Sequence, residues 1–274
     1  MPLLGQGALV IWHGIAPEAD EDMIRWHNTE HIPERVSIPG FLRGRRYDTA
    51  HRPLEYLDFY ETESVETIRS APYLARLNEP TPWTSRVLPH FRNTVRLGCR
   101  VLASVGRGVG GVLLTVRLRP APGEDAKLRA WLGGPGLATV REPAAVMGVH
   151  VLETVAETTR IRTAEGKLKG GEVDAVEEPW PLILVVECTD AATVEAAVGG
   201  SLDLDRLRTH GAAPGALVLA HRLQICIDAD ESERAAPGSA WTTISRPVSR
   251  RPGAGRRRGS SETRSTRPSP PRPA

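Results

Sequence analysis

A chain of 274 residues with 40% apolar and 25% charged side chains is long enough for one large domain or two small ones with real cores. No apolar run reaches membrane-spanning length, and no basic N-terminal segment leads into a signal-like core, so the expectation is a cytoplasmic protein with no membrane partner. The formal charge of +2 conceals an imbalance: residues 229–274 hold 10 Arg, 7 Pro and only 4 acids, which leaves the body at −4.

That basic stretch lacks apolar periodicity and reads as a disordered tail. Arg250-Arg251 and Arg256-Arg257-Arg258 would attract a polyanion, but no interleaved aromatics or recognition helix accompany them, and no specific nucleic-acid partner is expected. Cys99, Cys188 and Cys226 lie in apolar runs without Cys-x-x-Cys spacing and read as buried thiols.

In chain order, Gly7 to Ile15 is strand-like and Asp20 to His31 reads as a helix. On a 3.6-residue period Met23, Ile24, His27 and His31 share one face, while Arg25 and Thr29 point away. Pro33 is expected to end this helix near His31, placing that imidazole at a helix C-terminus where the macrodipole would hold its pKa up. Pro39-Gly40 then turns the chain into a strand from Phe41 to Asp48, followed by another from Leu54 to Tyr60, in which Leu57 and Phe59 alternate with Tyr56, Asp58 and Tyr60. A helix capped by Ser64 and running to Leu77, then a strand from Asn93 to Val101, complete the order β-α-β-β-α-β, the split βαβ unit.

The same order returns with strands at Gly111 to Leu118, Met147 to Val155, Leu182 to Cys188 and Ala216 to Ile227, and helices at Glu124 to Leu132 and Ala191 to Val198. The predicted fold class is therefore α+β: two ferredoxin-like repeats, residues 1–105 and 106–228, plus the tail at 229–274. Each four-stranded sheet would carry helices on one face, so the two open faces would bury each other or join into a barrel within one chain; a further homodimer is left open. The repeats differ in chemistry. Trp26 has a counterpart in Trp131, but His27 to His31 corresponds to Leu132-Gly133-Gly134-Pro135-Gly136, without a titratable group. From Glu157 to Pro181 the second repeat makes a long polar excursion that reads as a lid or a flexible loop.

The chemistry-bearing cluster is Trp26-His27-Asn28-Thr29-Glu30-His31-Ile32-Pro33-Glu34-Arg35. His31 is the leading candidate for general acid or base work, His27 one turn earlier would orient it or the substrate, and Glu30 would fix a tautomer by accepting a ring proton. Arg45 and Tyr47 on the next strand are candidates to reach the same cavity, with Trp26, and Trp12 and His13 point to opposite faces so that only one of them can join it. Glu30 and Glu34 are expected to pair with Arg35, Arg43, Arg45 and Arg46 as a solvated network. The string His27-x-x-Glu30-His31 also matches an inverted zinc-protease pattern, but that pattern needs a helix running on through it and a third ligand, so no metal is expected.

Together with Ile38-Pro39-Gly40-Phe41 and Arg43-Gly44-Arg45-Arg46-Tyr47, this cluster resembles the dimeric α/β-barrel superfamily and, within it, EthD-like proteins, over roughly residues 5 to 100. The resemblance implies ferredoxin-like units paired into a barrel and a small-molecule cavity between sheet and helices. It implies a superfamily of cofactor-independent monooxygenases, isomerases, dehydratases and decarboxylases of aromatic or polyketide substrates, with haem-dependent members as well. By motif position, the histidine suspected of acid-base work in EthD-like members maps onto His31. The expectation is an enzyme acting on a cyclic or aromatic small molecule without a cofactor, haem being the alternative cofactor and a non-catalytic binding or scaffold protein the alternative function.

Overall fold

A computed structural model describes residues 2–159, 161–169 and 180–229. The predicted tail beyond Ala229 and the middle of the polar excursion lie outside the described residues. Eight strands, β1 (Gly7–Ile15), β2 (Phe41–Thr49), β3 (Glu55–Thr62), β4 (Phe91–Gly106), β5 (Val112–Leu118), β6 (Val146–Thr154), β7 (Leu182–Cys188) and β8 (Leu217–Asp228), close into one antiparallel barrel in the order β1-β3-β2-β8-β5-β7-β6-β4. Each half contributes four neighbouring strands in the same relative order, β4-β1-β3-β2 and β8-β5-β7-β6. The halves join where β2 meets β8, with Arg45 opposite Cys226, and where β4 meets β6, with Cys99 opposite Thr154. Neither half could close alone, and joining them removes every sheet edge.

Helices cover the outside: α1 (Asp20–Trp26), α2 (Ile32–Val36), α3 (Ala71–Asn78) and α4 (Pro82–Val87) in the first half, then α5 (Asp125–Gly133), α6 (Pro135–Arg141), α7 (Ala156–Thr159), α8 (Ala164–Leu168), α9 (Ala191–Val198) and α10 (Leu204–Thr209). Most strand residues therefore face either the closed interior or a helix layer, although β4 and β8 keep exposed positions such as Arg100 and Arg222; β7, Leu-Ile-Leu-Val-Val-Glu-Cys, is buried at every position. Val10, Trp12, Leu57, Phe59, Leu97, Leu113, Ile183 and Val185 pack inside the barrel. Leu114, Val116, Leu118, Leu182, Leu184 and Val186 face the second-half helices in an all-apolar cluster. Among the described residues, no helix is long and apolar enough to cross a membrane.

Two local expectations are corrected. The helix does not end at His31: it passes through a widened turn, His27–His31, in which the Ile32 N–H donates to the His27 carbonyl, and continues to Val36. Five-residue spacing shifts the backbone out of the α register ahead of Pro33, so a proline lacking an N–H is accommodated there. Ser64 makes no side-chain cap; a single turn at Val65–Arg69 follows it, and the helix α3 is capped instead by Ser70, whose hydroxyl accepts from the Tyr73 N–H. Gly44 lets α2 lie on the sheet. A methyl group at this position would stand 2.8 Å from Ile32 Cγ2 and 3.0 Å from Val36 Cγ1.

Arg45, Tyr47 and Trp12 point into the barrel interior, which corrects the expectation that they share a cavity with His31. Arg45 is fully buried and donates to Tyr47 Oη (2.9 Å), Glu187 Oε1 (3.0 Å) and Glu61 Oε1 (2.9 Å). The Gly110 N–H donates to Glu187 Oε2 at 2.7 Å, and the Leu4 N–H to Glu61 Oε2 at 2.7 Å. Burial favours the neutral acid, yet Arg45 and His150 hold Glu187 down to about 2. Trp12 lies under the Arg117 guanidinium, 4.4 Å from its ring centroid. The expected solvated ion network is thus largely an internal one: Arg43 pairs with Asp228 and Glu61, and Arg35 with Glu34 and Glu165.

Candidate active site

The helix-facing side of β1 and β3 carries His13 and Asp58, and both lie under α1 and its widened turn. His13 Nε2 stands 3.3 Å from Asp58 Oδ2, and His27 Nδ1 stands 3.8 Å from Asp58 Oδ1. The His27 and His31 rings stack at 5.4 Å, and Trp26 lies against both, 4.8 Å from His27 and 4.0 Å from His31. Phe91, at the start of β4, stacks on His13 at 4.2 Å. His13 is therefore the residue of the Trp12/His13 pair that joins the cluster.

The aromatic packing fixes the rings by excluding water, and the exclusion sets their charge. Burial drives His27 down to about 3 against the pull of Asp58. His31 is likewise held well below the ordinary imidazole range, first by burial and then by the Arg35 guanidinium. The expected helix C-terminus, with its raised pKa, does not exist, and both rings are neutral at physiological pH. Burial raises Asp58, yet its contact with His13 and the Arg46 guanidinium hold it below the ordinary carboxylate value, and it stays ionised.

Glu30 does not serve His31. Its Oε1 accepts from Trp26 Nε1 (3.2 Å) and Thr81 Oγ1 (2.6 Å), which ties α1 to the start of α4 and orients the indole. His31 Nδ1 is shielded from solvent and has no hydrogen-bond partner.

A partly open cavity of about 100 Å³ adjoins this cluster. Ile11, Asp58 and Tyr60 line it from the sheet, Trp26, His27 and His31 from the helix, and Tyr73 and Arg96 from α3 and β4. Its cover comes from the second half: Ile161, Glu165 and Lys169 lie over it, and Glu165 is anchored by Arg35. Lys169 Nζ sits 5.6 Å from the Phe91 ring centroid, and burial lowers it to about 8. Cavities of ~150 Å³ hold a benzene ring, so this one has the size for one end of a small molecule.

The sequence missed Asp58 and Lys169. Asp58 sits in a clean alternation with two tyrosines, which marks a face without telling what covers it; Lys169 sits in a polar stretch without periodicity. Among the described residues, the equivalent side of the second half offers no comparable chemistry. Its sheet face is apolar, and Trp131 stacks on His210 at 4.4 Å instead of on a histidine cluster.

No protein-family model matches the sequence, and no curated protein matches it. Solved structures match over most of the chain. An anthrone oxidase-like protein superposes with a TM-score of 0.56 at 14% identity, covering 85% of this chain and 97% of its own. The chain has the dimeric α/β-barrel fold. A candidate monooxygenase of Fusobacterium nucleatum matches this barrel with a TM-score of 0.52 at 10% identity, over 82% of this chain and 96% of its own. Another, from Lactobacillus acidophilus, reaches 0.50 at 7% identity over 82% and 97%. In this barrel both units reside in one chain, and only the first carries the histidine cluster.

Proposed function

We propose that the protein is a small-molecule enzyme that removes a proton from an enolisable or phenolic substrate, with His31 as the base. The observation that carries this reading is a neutral imidazole whose Nδ1 has no protein partner and which lines a cavity. The substrate C–H or O–H bond breaks, its proton passes to the imidazole, and the electron pair stays on the substrate as an enolate or phenolate. Lys169 and Arg96, which line the same cavity, supply the positive charge that stabilises this anion. An unprotonated imidazole facing the substrate and a cation beside the developing charge are the two groups such a step uses.

The anion's fate sets the reaction class: reprotonation elsewhere gives isomerisation, loss of a group gives dehydration or decarboxylation, and capture of dioxygen gives oxygenation. The fold neighbours named for oxidase and monooxygenase activity favour the last. Trp26, stacked beside His31, offers its face to a planar ring.

The test is untargeted mass spectrometry of a metabolite extract incubated with the protein and, in parallel, with His31→Ala. A metabolite is expected to be consumed by the unmodified protein and turned over roughly 10²- to 10⁴-fold more slowly by the variant, the usual contribution of a positioned acid or base. The product's mass shift then identifies the class. Equal consumption by both proteins would make His31 structural, and no consumption by either would favour the binding reading.

A further inference from the structure

We propose that His13, His27 and Asp58 bind one divalent first-row transition-metal ion between β1, β3 and the widened turn after α1. The three ligand atoms lie within 4.8 Å of one another, and all three residues are buried. Donors held 2.0–2.2 Å from one metal centre stand roughly 3 to 3.5 Å apart. His13 Nε2 already stands 3.3 Å from Asp58 Oδ2 and His27 Nδ1 3.8 Å from Asp58 Oδ1, one imidazole at each carboxylate oxygen, so closing on an ion takes side-chain rotation and no change of fold.

His13 supplies the second observation. Its Nδ1 faces the Gly14 carbonyl at 3.3 Å, and its Nε2 faces the Asp58 carboxylate at 3.3 Å. Both oxygens are satisfied only by a doubly protonated ring; with a single N–H, one of the two nitrogens presents a lone pair to an oxygen. A cation between Nε2 and the carboxylate removes that conflict and leaves Nδ1–H donating to the carbonyl, the outer bond that metal-bound histidines usually make. His13 Nε2, His27 Nδ1 and Asp58 Oδ1 are all shielded from solvent without a hydrogen-bond partner. An ion there would satisfy all three.

The donor set of two imidazole nitrogens and one carboxylate oxygen suits Fe²⁺, Mn²⁺, Co²⁺ or Zn²⁺ and leaves coordination positions open. His27 and Asp58 line the cavity, so a small molecule could reach one of those positions. Arg46, a cation near both residues, is engaged by Gln224 Oε1 at 2.9 Å. This inference goes beyond the proton-transfer reading and stands whether or not His31 acts as a base.

The experiment uses the full chain after treatment with a chelator and dialysis, titrated with Co²⁺ and followed by visible absorption, with metal content measured on the loaded protein. One equivalent is expected to bind, with X-ray absorption showing two imidazoles and a carboxylate, and Asp58→Asn is expected to bind at least tenfold more weakly. Failure to bind one equivalent, a ligand set without imidazole, or unchanged affinity in folded Asp58→Asn would overturn the proposal. If Asp58→Asn does not fold, His27→Gln decides: one imidazole fewer around the ion supports the site, and an unchanged count overturns it.

Discussion

Replacing Arg45 by methionine is expected to destabilise the protein by roughly 3–5 kcal/mol, the usual result of removing one partner from a buried ion cluster. Arg45 is the only cation that reaches both Glu61 and Glu187 within 3.0 Å among the described ion pairs, and all three side chains are almost wholly shielded from water. Methionine fills most of the volume but removes the cation the two buried carboxylates share, leaving Glu61 with Arg43 at 3.5 Å and Glu187 with His150 at 3.3 Å. The loss should shrink on acidification, because in the variant the poorly compensated carboxylates take up protons and become neutral. Denaturant unfolding at pH 8 and pH 5 measures both effects. Replacing Glu187 by glutamine in the Arg45→Met background should recover part of the stability, since it removes one stranded charge.

Acid is expected to unfold the protein well above the pH at which carboxylates alone would respond. His221 lies inside the barrel with Nδ1 3.1 Å from Thr49 Oγ1 and Nε2 3.0 Å from Thr115 Oγ1, and burial pushes it down to about 3. Above the ordinary imidazole value near 6.5, neither folded nor unfolded chain protonates this ring and stability is independent of it. Below 6.5 the unfolded chain takes up a proton that the folded one refuses, so stability falls as pH falls, until the folded ring itself titrates near 3. At 1.36 kcal/mol per unit, this single residue costs on the order of 5 kcal/mol across that window, comparable to the whole stability of many domains. Unfolding midpoints measured from pH 7.5 to 4.5 should hold level down to about 6.5 and fall below it. His221→Gln, which keeps a hydrogen-bonding side chain without the titration, should reduce the slope by one proton; an unchanged slope would remove His221 as its cause.

The repeat order was readable because strands and helices of this chain keep their periods: Leu57 and Phe59 alternate with Tyr56, Asp58 and Tyr60, and the apolar run from Leu182 to Cys188 has the length of a strand buried on both faces. The helical period also put His27 and His31 on one side, with Arg25 and Thr29 exposed on the other. What was not readable depended on closure. Alternation on β2 separates Arg45 and Tyr47 from Arg46, but only the closed barrel shows that the first pair looks inward, to a glutamate 142 residues away in sequence, while Arg46 looks toward α1. Asp58 has the pattern of a solvent-facing carboxylate and becomes a buried one because α1 crosses over it. Pro33 obeys its local chemistry by a route that spacing does not announce, a five-residue turn that keeps the helix going and moves His31 from a helix end to a helix interior. Lys169 reaches the cavity only because the second half's polar segment folds back over the first.

Division of labour between the halves follows from the same geometry. Both units are needed for the barrel, and the first supplies the histidines and Asp58. The second supplies Glu165, paired with Arg35, and the lysine above the cavity.

The measurement that bears most directly on His31 as the proton acceptor is chemical rescue. Once a consumed metabolite is in hand, its turnover by His31→Ala would be followed as free imidazole is added, at a pH where most of that imidazole is unprotonated. If His31 is the base, the variant's rate rises with imidazole concentration while that of the unmodified protein does not change, because a diffusible base occupies the space the side chain left. A His31→Ala protein that turns the metabolite over at the unmodified rate without imidazole would contradict the assignment.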